Sequence, residues 1–219
     1  MDTLFLWLLV IVGLFVGYKD VSSIFWPKFK QERNFQHLIY ATLFALFILW
    51  STDAGVKTGL SIHFLALTTV TLMHGPHVAF LLAIFVSISL VVIQQLALDQ
   101  LAQQLVFSGL IPILISQLIF LASYRFLPRN IFIYIFVAGF FNGAITGCLH
   151  LIINSGYYWL TDAYDWKTIV DNYFVFTPLL AFPEGLLNGM SVAMLCVFKP
   201  EWLRSFSDRD YIYNHYHKK

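Results

Sequence analysis

The sequence predicts an all-α, polytopic membrane protein of about seven transmembrane helices, with the N-terminus outside and the C-terminus cytoplasmic. Three observations lead there. Of 219 residues, 59% are hydrophobic and only 11% charged, whereas a soluble domain carries about 25% charged residues. Apolar runs near the ~20 residues that a helix needs to cross a bilayer recur along the whole chain. Basic residues gather in alternate connections, the pattern that keeps positive loops inside.

Apolar length places spans at residues 3–18, 37–52, 59–74, 78–98, 106–126, 131–158 and 172–198. The first lacks a basic n-region and a small-residue cleavage site, so it reads as a retained helix and not as a signal peptide. It carries Gly13 and Gly17, and the second carries Ala41 and Ala45. Small residues four apart let another helix approach closely, and the alanine pair is a candidate docking face. The third span starts just after Gly59 and ends at Gly75-Pro76, forming a tight hairpin with the fourth. Residues 98–106, LDQLAQQLV, read as an interfacial turn or partly re-entrant loop on the outer side. Pro112 should kink the fifth span and free a backbone carbonyl. The sixth places Gly139, Gly143 and Gly147 four apart, punctuated by Asn142, His150 and Asn154, and ends in an aromatic belt of Tyr157, Tyr158 and Trp159. The seventh holds Pro183-Glu184-Gly185, with Asn188 one turn on, and ends at Lys199-Pro200. Residues 1–219 therefore form one membrane domain with a polar cytoplasmic tail at 200–219, where His215 and His217 read as a solvated end.

Seven spans with the N-terminus outside put 11 of the 13 basic residues on the cytoplasmic side, leaving only Lys57 and Lys167 outside. Asp2, Asp53, Asp99, Asp162, Asp165 and Asp171 then face outward, where they would raise the local concentration of cations.

Several function classes fall away. A formal net charge of +1 gives no electrostatic footprint for nucleic acid. Cys148 and Cys196 both lie in apolar runs and read as small buried residues. No H-E-x-x-H, C-x-x-C, Walker or G-x-S-x-G pattern is present. Any energy coupling must come from a partner or an ion gradient.

Ionisable residues at membrane depth are expensive and mark functional sites by default. Glu184 is the only acidic residue deep in a span, roughly 18 Å from the outer end at 1.5 Å per residue. His63 lies about one turn inside the third span and His150 in the outer part of the sixth. Nitrogen-rich sites suit nickel, cobalt, copper or zinc. His63, His150 and Glu184 are thus the candidate ligands of an outward-open cavity, with Glu184 the deepest. Each also has an ordinary reading, as a hydrogen-bonded interior side chain. His74 and His77 flank Gly75-Pro76 at the inner end and form a candidate second site. On a straight helix His74 is about 16 Å from His63, too far to share an ion.

The run SIHFLALTTVTLMHGPHVAFLLAIFVSIS resembles the signature of the membrane substrate-binding subunits of cobalt and nickel energy-coupling-factor transporters, the CbiM/NikM type. Ser61-Ile62-His63-Phe64 stands where that family has Ser-Gly-His-Leu, and Gly75-Pro76 follows at matching spacing. LVFSGLIPILISQLIFLASYRFL resembles the family's following helix, and AFPEGLLNGMSVAMLCVFKPEWL its Ile-Glu-Gly ending, with Glu184-Gly185 in place. The resemblance spans about residues 55–205. It implies a metal-binding subunit working with a transmembrane coupling subunit and separate ATPases. The family's site uses a free N-terminus followed by histidine, together with the histidine that His63 matches. Here the chain begins Met1-Asp2-Thr3, and Phe107-Ser108-Gly109 replaces an Asn-Met-Gly motif. The resemblance therefore implies a divergent branch that keeps the scaffold and changes the pocket, with His74, His77 and His150 part of that change.

The leading expectation is a membrane substrate-binding component of an energy-coupling-factor-type transporter. Its substrate would be a transition-metal ion, nickel or cobalt ahead of zinc, copper or iron. The alternatives are a membrane-embedded metal enzyme acting on a lipid or quinone-like substrate, and a non-catalytic assembly partner.

Overall fold

The computed structural model describes residues 3–52, 54–55 and 62–213. Expectations that rest on Met1, Asp2, Asp53, Lys57, Gly59, Ser61, His215, His217, Lys218 or Lys219 lie outside the described residues. The described chain is helical, with one isolated bridge between Ala54 and Ile62. Five helices reach membrane-spanning length: α1 (Thr3–Gln31), α2 (Arg33–Ser51), α5 (Leu98–Phe126), α6 (Ile131–Leu160) and a compound element over Trp166–Phe198. The last consists of α7 (Trp166–Asn172), a tight turn Phe174–Phe176 and α8 (Thr177–Phe198). Between α2 and α5 stand two shorter helices, α3 (Leu67–His74) and α4 (Pro76–Val92). The chain is an all-α, multi-pass integral membrane protein.

Three expectations are corrected. The first span does not stop near residue 18: α1 continues through a π turn at Val21–Phe25 to Gln31, so Lys19, Lys28 and Lys30 sit on helix, not loop. Residues 98–106 are no separate interfacial turn but the opening of α5. The third span is not a continuous helix over 59–74. Its helix occupies only Leu67–His74, about 12 Å long, and residues 63–66 before it are irregular, outside any helix.

Prolines account for two of the π turns among the described residues, whereas a third, Tyr134–Phe141 in α6, contains none. A proline has no N–H to give the carbonyl four residues back. Pro27 follows the π turn of α1, and Pro112 follows the π turn of α5 at Gln104–Leu110. In each case the wider turn absorbs the missing bond.

The small-residue pairs of α1 and α6 act inside the bundle. Gly13 and Gly17 of α1 admit Phe80 and His77 of α4. Gly139, Gly143 and Gly147 of α6 face Val192, Asn188 and Glu184 of α8, one side chain per glycine, in antiparallel order. A Cβ on Gly143 would stand 2.8 Å from the Asn188 Cβ. This close approach seats the polar side chains of α8 at the centre of the molecule. Ala41 and Ala45 of α2, by contrast, stay exposed.

The half-helix α3 lies within the bundle, touching α4, α5, α6 and α8. Six of its eight residues besides His74 are buried. A non-helical approach at membrane depth is tolerated only where protein surrounds it, as here. After α8 the chain turns at Pro200–Trp202, runs beneath the inner end of α3 and closes with α9 (Asp208–Tyr211). Leu203, Phe206 and Tyr211 are buried there against Tyr134 and Leu72, so the start of the polar tail is part of the core. Cys196 is buried and Cys148 half-buried, and neither is paired.

Candidate functional site

Residues outside a helix or sheet ladder do not satisfy one another's backbone groups, so those at 63–66 need outside partners. Glu184 supplies them. Its Oε2 accepts from the Leu65 N–H at 3.1 Å and its Oε1 from the Ala66 N–H at 2.8 Å. Asn188, one turn on, accepts from both the Thr69 N–H and the Thr69 hydroxyl at 2.8 Å. The Asn188 amide in turn donates to Glu184 Oε1 at 2.9 Å and to the Glu184 carbonyl at 2.8 Å. The carboxylate and the amide therefore form one clip that caps the start of α3, a task usually done by a residue adjacent in sequence. From the opposite side, Trp50 Nε1 of α2 donates to the Leu65 carbonyl at 3.2 Å. Between these grips Ala66 adopts φ +52°, a left-handed conformation that costs a non-glycine residue about 1–2 kcal/mol.

This segment delivers His63 to the interior. Its ring lies between Trp50, 5.5 Å away, and His150, 6.1 Å away. Its Nε2 is buried and has no hydrogen-bond partner. His150 is held from below by a consequence of Pro112. Within the π turn the Ile111 N–H goes to the Val106 carbonyl. The next carbonyl, that of Phe107, would be served by residue 112, which as proline has no N–H. It accepts instead from His150 Nδ1 at 3.0 Å. The proton is thereby fixed on Nδ1, and Nε2 of the neutral ring is left as the donor nitrogen.

Above His63 opens a cavity of about 410 Å³, whose mostly apolar lining includes Thr52, Ile62, Phe64, Phe176 and Leu180 as well as His63. One turn outward from His150, Asn154 Oδ1 and Ser155 Oγ are also buried without partners, while Asn154 Nδ2 donates to the Tyr173 hydroxyl at 2.9 Å.

The structure thus brings His63 and His150 together. Glu184 engages the backbone two and three residues beyond His63, its carboxylate committed to N–H groups. Helical counting put Glu184 well below His63, but residues 63–66 are not helical and do not advance by helical steps. His74 and His77 separate. His74 Nε2 lies 3.1 Å from Thr42 Oγ1 of α2, whereas His77 Nδ1 lies 3.3 Å from Asp20 Oδ2 of α1. Among the described residues no group of three or more His, Cys, Asp or Glu side chains gathers at metal-holding distance.

Sequence reading missed Trp50, Thr69 and the Phe107 carbonyl as parts of the site. The freed carbonyl was foreseeable from Pro112, but not its taker, and nothing local links Thr69 to a residue 119 positions away.

A helical bundle with a broken element at its heart, and two histidine rings brought together beside a cavity, defines a multi-pass membrane protein built around an interior polar site. The chain belongs to the CbiM family, described as the cobalt uptake substrate-specific transmembrane region, whose model matches residues 3–202. Neither the curated proteins nor the solved structures contain a significant match to the chain. Family membership makes it a membrane component of cobalt uptake, placed in the inner membrane of the cell.

Proposed function

We propose that this protein is the substrate-binding subunit of an energy-coupling-factor-type transporter, and that it takes a cobalt or nickel ion between His63 and His150. The carrying observation is the buried, unpartnered Nε2 of His63, on a ring that packs against the His150 ring. Metal–imidazole bonds are about 2.0–2.1 Å and the ring centre lies about 1.1 Å behind the nitrogen, so rings sharing an ion stand up to roughly 6.3 Å apart. The observed 6.1 Å falls inside that reach. Imidazole nitrogen suits these late transition metals, and Nδ1 of His150 already has the outer partner that orients metal-binding histidines. In this reading Glu184 acts from behind, holding the backbone that carries His63. Lys19, Lys28, Lys30 and Arg33 near the α1–α2 junction, Arg125 and Arg129 near the α5–α6 junction, and the basic tail support a cytoplasmic C-terminus, beside the coupling subunit and its ATPases. The exposed Ala41 and Ala45 stripe on α2 is the proposed contact with the coupling subunit.

The test is calorimetric titration of the detergent-purified protein with cobalt, its affinity tag removed. Wild type should bind about one equivalent. His63→Ala and His150→Ala should each lose about 100-fold or more in affinity while inserting normally. Unchanged binding in both variants refutes the site.

A further inference from the structure

The far end of α3 is capped as fully as its start, and by the same chain segment. A helix leaves its last carbonyls without partners. Here the Thr71 carbonyl accepts from Gly75 N at 2.8 Å, and the next three are taken by residues 204 and 205 of the chain that follows α8. Leu72 accepts from both the N–H and the hydroxyl of Ser205, at 3.1 and 2.8 Å. Met73 accepts from Arg204 N at 3.1 Å, and His74 from Arg204 Nη1 at 3.2 Å. The same guanidinium grips Asp20 of α1 with two bonds of 2.9 Å, and His77 joins that carboxylate. Ser205 is itself fixed by the Tyr134 hydroxyl at 2.7 Å.

The half-helix is therefore held at both ends by one continuous element: Glu184 and Asn188 of α8 at the start, Arg204 and Ser205 after α8 at the finish. Only five residues lie between Ala66 at the outer grip and Leu72 at the inner one, and their N–H···O ladder leaves little slack. Within the outer grip stands the strained Ala66, and strain of this kind persists only where the surroundings over-determine it. Displacement of the inner grip is passed along α3 to Ala66 and so to His63. Gly75 belongs to this device on two counts. Its φ of +83° disfavours any side chain, and a Cβ there would stand 2.9 Å from Arg204 Nη1.

We infer that Arg204, braced by Asp20 and assisted by Ser205, is a positioning residue for the metal site on the other side of the membrane: it sets the height of α3, and through α3 the place of His63. This rests on the reading of His63 and His150 as the metal site. Coupling between sites is reciprocal, so metal bound outside must also tighten the inner grip. Arg204 is half exposed at the cytoplasmic end, within reach of a coupling subunit, so a signal could run either way.

The experiment titrates cobalt into the full-length, untagged protein as wild type, Arg204→Asp, Asp20→Arg and the double charge swap. Amide hydrogen exchange at residues 203–206 is followed with and without cobalt. Each single reversal should weaken cobalt binding by about five-fold or more, and the double swap should recover most of the loss, which a merely destabilised fold would not do. Cobalt should slow exchange of the Arg204 and Ser205 amides in wild type. Monodisperse single variants that bind cobalt like wild type overturn the inference. If the reversals fail to fold, wild type decides alone: bound cobalt that leaves exchange at 203–206 unchanged overturns it. Wild type that binds no cobalt overturns the underlying metal site, and this inference with it.

Discussion

Two pairs of histidines bracket α3, and the structure treats them oppositely. His63 and His150 start on different elements and converge. His74 and His77 are three residues apart and diverge, one toward α2 and the other toward α1. The difference comes from backbone form. A non-helical, clipped segment brings His63 against His150 of α6, whereas the break at Gly75-Pro76 turns its two flanking histidines to different neighbours. Closeness in sequence is thus a poor guide to a shared ligand, and closeness in space is set by whichever backbone is held out of regular helix.

The strongest way to break the outer convergence is Glu184→Ala. It orphans the Leu65 and Ala66 N–H groups in a buried setting, at about 1–3 kcal/mol for each group. Thermal unfolding in detergent should show the largest loss of any single change in α8, and cobalt binding should fail with it. Gly143→Ala comes next. Its new Cβ presses α6 away from Asn188, overpacking that costs about 1–3 kcal/mol. The same unfolding assay should register a smaller drop, with weakened but measurable cobalt affinity. The smallest effect belongs to the inner pair. Thr42 donates to the Leu38 carbonyl, so it accepts from His74 Nε2. Thr42→Val removes that acceptor at about 1 kcal/mol and should leave cobalt binding unchanged within two-fold. A large loss of metal binding in Thr42→Val would erase the distinction between the two pairs.

Much of the architecture was legible because lipid imposes it. Apolar length marked the elements, and the glycines of α6 announced a close neighbour. The Glu184 and Asn188 spacing put two polar groups on one face of a helix. What stayed hidden was the break before α3. Apolar residues at 62–70 look alike whether helical or extended, and length alone favours helix. Only burial by other segments lets the chain depart from it, and burial is a property of the fold. The caps at both ends of α3 were hidden for the same reason: their donors and acceptors lie more than 100 residues away.

The direction of α3 has an electrostatic consequence. Aligned peptide dipoles give a helix about half a positive charge at its N-terminus, and α3 begins four residues after His63. A bare helix start so close to a divalent ion would repel it. The Glu184 carboxyl sits at that very end, so the group that fixes the backbone also opposes its field. At the proposed site a cation would meet nitrogen lone pairs beside a capped helix start, and the break in the chain would count less against its charge.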